Sequence, residues 1–126
     1  MQTFSDSINR TFAVDAGETA IKRGTRVTFT ETAGVVALAT CSDTDLAVGV
    51  ADEDWSSDTD AAAPSQGLAV RLFSAPHVFK AAGAIAAATQ LGKATDGKVT
   101  AGSDMDYISH SGCANANELI TAFKLQ

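Results

Sequence analysis

The sequence predicts an all-β fold, a small β-barrel or β-sandwich built from two similar halves behind an N-terminal arm. Three observations predict it. Short β-forming runs alternate with Gly, Asp and Ser. Few segments carry a helical hydrophobic period. One arrangement of apolar residues and glycines occurs twice along the chain.

The elements follow in order. Residues 1–13 form a polar arm in which Phe4, Ile8 and Phe12 recur every four residues. On a helix these three would share one face; in an extended chain they remain evenly spaced apolar anchors, for this domain or for a partner. Predicted strands then cover 11–14, 26–30, 34–39, 46–51, 67–73, 77–80, 97–101, 107–111 and 118–125. The run Arg26-Val27-Thr28-Phe29-Thr30 alternates strictly. Leu68, Val70 and Leu72 share one strand face, and Leu119, Thr121, Phe123 and Leu125 oppose Ile120, Ala122 and Lys124. Two segments compete with this assignment. Residues 81–93 are alanine-rich, and alanine is the best helix former, although Gly83 argues against a long helix. Residues 58–63 could form one helical turn stopped by Pro64.

The repeat divides residues 14–126, read as a single β domain, into 14–73 and 78–126. Ile21 and Val27 match Ile85 and Leu91 in spacing, with Ala88 standing where the first half has Gly24. Gly34-Val35-Val36 matches Gly97-Lys98-Val99, and Val48-Gly49-Val50-Ala51 is matched to Ser111-Gly112-Cys113-Ala114. Each half closes on a β run. One such unit leaves an apolar face exposed, whereas two can bury it together.

Composition narrows the function. The chain has 126 residues, 45% of them hydrophobic, and a formal net charge of −6. Nucleic acid is a poor partner, because phosphate binding requires clustered cations and the nine Lys and Arg are scattered. An anionic membrane is disfavoured for the same reason, and no apolar run approaches a membrane span. The start of the chain reads as no secretory signal, so folding in a cytoplasm is expected. Cys41 and Cys113 then read as reduced, buried small hydrophobes.

No catalytic constellation is present in the sequence. Gly92-Lys93 is followed by Ala94, where a nucleotide-binding loop needs Ser or Thr. His110 and Cys113 could be drawn as a pair, but nothing nearby promises an activated thiolate. The two Cys and two His lack zinc-ligand spacing, and no metal or cofactor is expected. Asp43, Asp45, Asp52, Glu53, Asp54, Asp58 and Asp60 read as a solvated acidic region, calcium being the other reading. Trp55, the single tryptophan, sits inside it, either covering a core edge or anchoring an interface.

Ala16-Gly17-Glu18-Thr19-Ala20-Ile21-Lys22-Arg23-Gly24-Thr25-Arg26-Val27 resembles the Ala-Gly-x-x-Ile-x-x-Gly-x-x-Val opening of capsid cement, or head-decoration, proteins of tailed bacteriophages, with one extra residue before the Ile. Leu46-Ala47-Val48-Gly49-Val50-Ala51, Val70-Arg71-Leu72 and Ala82-Gly83-Ala84-Ile85 are similar to later segments of that family. The resemblance spans roughly residues 14–125. It implies a non-enzymatic virion protein, usually a homotrimer, bound to the major capsid protein on the head exterior between capsomers. Phe4, Ile8, Phe12 and Trp55 are the candidate interface residues. The alternative is a carbohydrate- or host-surface-binding β-sandwich on a virion, which would require exposed aromatic rings.

Overall fold

The computed structural model describes residues 9–57, 67–72 and 77–125. The described residues form twelve strands: β1 (Asn9–Phe12), β2 (Ala20–Ile21), β3 (Arg26–Thr32), β4 (Val35–Thr40), β5 (Gly49–Ala51), β6 (Trp55–Ser56), β7 (Leu68–Leu72), β8 (His77–Lys80), β9 (Leu91–Lys93), β10 (Val99–Ala101), β11 (Tyr107–Ser109) and β12 (Leu119–Lys124). A 3-10 turn, Thr95–Gly97, joins β9 to β10. The fold is all-β, as the sequence predicts.

Most predicted runs appear with trimmed ends. Residues 81–93 form no helix. Ala81 and Ile85 lie in isolated bridges, and β9 occupies the end of the segment. Burial overrides alanine's helix propensity here, because Ala81, Ile85 and Leu91 all enter the core. Strands β2 and β6 escape sequence detection because they have only two residues each, and β9 because it ends the alanine-rich segment. The helical turn considered at 58–63 lies outside the described residues.

The two halves share one strand order. The first sheet runs β1-β7-β5-β3-β4. In the second half the order is β8-β12-β11, continued through the Gln90↔Ile108 bridge to the β9–β10 hairpin. Loop hydrogen bonds repeat as well. Gly24 N donates to Ala51 O at 2.9 Å, and Ala88 N to Ser109 O at 2.8 Å. Ala51 N donates to Thr25 O, and Ser109 N to Thr89 O, each at 2.9 Å. Both hairpins turn through two successive left-handed residues, Ala33-Gly34 and Asp96-Gly97. Such turns match the twist of the strands they join.

This register corrects the third sequence match. The counterpart of β5 is β11 at Tyr107–Ser109, not 111–114. Cys113 instead pairs with Ile85 as Trp55 pairs with Ile21. A glycine flanked by small residues is too degenerate a signal to fix strand register. Gly112 has a different cause: a Cβ there would lie 2.6 Å from Ile85 O.

Each half has its own core. Ile21, Val27, Leu38, Ala51, Trp55, Leu68 and Val70 fill the first. Phe79, Ala81, Ile85, Leu91, Val99, Met105, Tyr107, Ile120 and Ala122 fill the second. Val50 belongs to the second cluster although β5 lies in the first sheet. Period-2 alternation explains this: Ala51 faces its own core, and Val50 faces the other half.

Arg26, opposite Val50, locks the junction. It is 1% exposed. Its Nη2 donates to Ala94 O at 2.8 Å and Lys98 O at 3.1 Å, and to Ser42 O at 3.3 Å. Lys80 N also donates to Gly24 O at 2.9 Å across the junction. The outer edge of the first sheet is closed differently. Leu38 N donates to Ala13 O, Asp15 N to Leu38 O, and Thr40 N to Glu18 Oε2. These bonds leave little of β4 free for uncontrolled strand pairing.

Candidate interaction surface

An open groove of about 910 Å³ lies between the halves, lined by Glu18, Thr40, Asp45, Lys22, Lys80 and Lys98 among others. Two of its carboxylates are committed to the fold. Glu18 accepts from Thr40 N at 2.9 Å and Thr40 Oγ1 at 3.0 Å. Asp45 accepts from Ser42 N at 2.8 Å, a bond that lowers its pKa. The groove thus mixes fixed acids with solvated cations.

Other acidic side chains predicted as a solvated region also brace loops. Asp54 accepts from Arg23 N at 2.8 Å and lies 4.0 Å from Lys22 Nζ. Glu53 accepts from Ala69 N at 3.0 Å, and Asn9 Nδ2 donates to Asp52 at 3.4 Å. Asp58 and Asp60 lie outside the described residues. Among the described residues no three His, Cys, Asp or Glu side chains gather as metal ligands would.

Burial accounts for the shifted titrations. His77, 1% exposed, has its pKa lowered to about 4 by desolvation and then by Arg71. Its ring lies 5.8 Å from Phe79 and 5.7 Å from Tyr107. Desolvation raises Tyr107 to about 12 and Cys41 to about 11. Cys41 is a buried free thiol. The Cys113 thiol approaches Gly83 O at 3.4 Å, and the His110 ring lies edge-on to Phe123 at 5.6 Å. His110 and Cys113 are therefore engaged with different neighbours.

Of the expected interface residues, Phe4 and Ile8 lie outside the described residues. Phe12 is half-buried on β1, packed against the first core and edge-on to Phe29 at 5.1 Å. Trp55 is 5% exposed and belongs to that core. Within one chain its indole covers the core and offers no exposed anchor.

The exposed apolar surface lies elsewhere. At one end Phe29, Val35 and Val36 stand out on the β3–β4 hairpin at 42%, 64% and 57% exposure. In the second half Leu119 and Phe123 project from the outer face of β12. The loop residue Leu46 is 80% exposed. Alternation within 118–125 held a signal for Phe123, since Ile120 and Ala122 on the other face supply the core, whereas Phe29 shares the face of buried Val27 and carried no such signal.

No family model matches the chain, and no curated protein matches it. Among solved structures, the chain is similar to the head fiber gp8.5 N base of bacteriophage phi29, with a TM-score of 0.67. The match covers 94% of this chain and 98% of that one at 14% sequence identity. The shared property is the fold, over nearly the whole of both chains.

Proposed function

We propose that this chain is a non-enzymatic structural protein of a tailed-phage virion, attached to the head exterior as a cement or decoration protein between capsomers. Its partners are the major capsid protein and further copies of itself, as a homotrimer, assembled after folding in the host cytoplasm. The observation that carries this reading is the end-to-end fold likeness to the base of a phage head fiber. The cement-family resemblance of residues 14–125 supports it independently. Linked weak contacts suit the task, because several attachments on one particle raise avidity by orders of magnitude. A sugar-binding reading has less support: Trp55 and Tyr107 are each 5% exposed, which among the described residues leaves Phe29 and Phe123, one ring in each half, as the exposed aromatics.

The test uses heads of the encoding phage prepared without this protein. Purified protein added back should co-sediment with them at a saturating ratio. Cryo-electron images should show added density between capsomers. No binding at micromolar protein, with the heads intact, would defeat the reading.

A further inference from the structure

The contact between the halves is asymmetric. The first half contributes a socket on the outer face of its sheet: Gly24, Arg26, Val50 and Arg71, the last three in one cross-strand row. The second half contributes a plug: His77–Lys80 and the β9–β10 turn. Because the halves share one fold, each also carries the counterpart of the other's patch. The second half has a socket row, Gln90, Ile108 and Phe123, joined by the same pairings. The first half has a plug. Strand register equates Arg10, Thr11, Phe12 and Ala13 with His77, Val78, Phe79 and Lys80; the β3–β4 hairpin, which reaches further beyond the matched Phe29↔Leu38 and Lys93↔Val99 pairs, is the counterpart of the β9–β10 hairpin.

Burial separates the used patches from the unused ones. Gly24, Arg26, Val50, His77, Phe79 and Gly97 are all buried. Their counterparts Ala88, Gln90, Ile108, Arg10, Phe12 and Gly34 are all exposed or half-buried. Side-chain chemistry changes as well. Phe123, 44% exposed, replaces Arg71 in the unused socket, and the unused plug carries Phe12, Phe29 and Val36. Gln90 cannot repeat the Arg26 clasp, because its Nε2 donates to Met105 O at 3.0 Å within its own half. The unused pair of patches is the more apolar one.

Gly24 and Ala88 show the fit in detail. Both adopt left-handed backbone, at φ +91° and 58°. A Cβ on Gly24 would lie 2.7 Å from Leu119 Cδ2 and 2.9 Å from Lys80 N. Ala88 carries that Cβ and is exposed. The register places Gly67 of the unused plug where Leu119 stands in the used one. The methyl gained on one side thus meets a side chain lost on the other.

We propose that copies of this chain join head to tail into a closed ring. The end of β1 and the β3–β4 hairpin of one copy seat on the Gln90–Ile108–Phe123 row of the next. This repeats between copies the contact that joins the halves within one. Two unlike patches in contact form a heterologous interface, which closes into a ring when its rotation permits and otherwise grows as a filament. The inference rests on the chain's internal geometry and requires no attachment to heads.

Light scattering after size exclusion tests it. Wild-type protein should give one discrete oligomer, and Phe123→Glu should weaken association at least tenfold with an unchanged circular dichroism spectrum. Should that variant misfold, Ala13→Cys with Ala88→Cys, in a Cys41→Ser and Cys113→Ser background, decides the matter. Oxidation should then give a covalent ladder that stops at the ring's copy number and collapses on reduction. A monomer at every concentration, or an oligomer that responds to neither change, overturns the proposal. Monomers that still decorate heads would overturn this inference and the homotrimer of the proposed function, and would leave the attachment reading standing. Rings that ignore heads would overturn the attachment reading alone.

Discussion

At the scale of single residues, His77 shows how burial alone can make a side chain sensitive to acid. It sits at the junction, on β8, with its ring against Phe79 and Tyr107 and with Arg71 disfavouring a second positive charge. The folded state holds the imidazole neutral, with its pKa lowered from 6.5 to about 4. The unfolded chain binds a proton more readily, so acid favours unfolding. This contribution to stability is complete above about pH 6.5 and is lost as pH falls toward 4. Asp45 and Glu118 also have lowered pKa values, through backbone hydrogen bonds from Ser42 and from Asn115 and Ala114. Their contributions are lost only as pH falls below the ordinary carboxylate range, beneath the histidine window. Urea titrations from pH 7 to 4 should show the unfolding midpoint falling steadily. In His77→Phe the fall between pH 6.5 and 5 should flatten. An equal slope in both proteins would mean that His77 is not the group responsible.

Among the elements, the decisive contact joins β3 to the β9–β10 turn through Arg26. Three backbone carbonyls from two loops receive its guanidinium, and desolvation lowers its pKa. Replacing it with Met keeps the volume but leaves Ala94, Lys98 and Ser42 carbonyls without that donor. Losing hydrogen bonds to a charged group while burying their acceptors should cost about 3 kcal/mol. Lys should recover less than half of this, since an ammonium cannot reproduce the planar fork. Chemical denaturation of both variants measures the cost, and a loss below about 1 kcal/mol would remove Arg26 as the clasp. Nothing in the sequence marked Arg26 for this role; it stood there only as one member of an alternating run. The strands themselves were legible wherever β-branched and aromatic residues alternate, as in β3, β7 and β12. They were illegible at β2 and β6, where only two residues pair and no period exists, and at β9, which the alanine-rich run before it hid. Trp55 carried two readings in the sequence, and within the chain its place matches the core-covering one. Its acidic neighbours suggested an exposed loop, while pairing with Ile21 turns the indole inward.

For the whole molecule, the duplication was legible as spacing and only partly as register. Ile21 and Val27 aligned correctly with Ile85 and Leu91, because the loop between them has equal length in both halves. The hairpins and the connections beyond them differ in length, so the match slipped within the hairpin, where Val99 stands for Leu38 and not Val36, and by several residues after it. Whether two similar halves unfold together depends on what crosses between them. Here the crossing contacts are Val50 in the second core, the Arg26 clasp and the Lys80–Gly24 hydrogen bond. Each half alone would leave a sheet face bare, and a unit of about 60 residues is marginal by itself. The halves should therefore form one cooperative unit. The sequence supplies a native reporter for each: Trp55, the single tryptophan, lies in the first core, and Tyr107, the single tyrosine, in the second. Tryptophan fluorescence and tyrosine absorbance should give coincident urea transitions, superimposable on the far-ultraviolet circular dichroism curve. In Arg26→Met both reporters should move to lower urea together. Two separated midpoints in the wild-type protein would show that the halves are independent and that the junction adds little to stability.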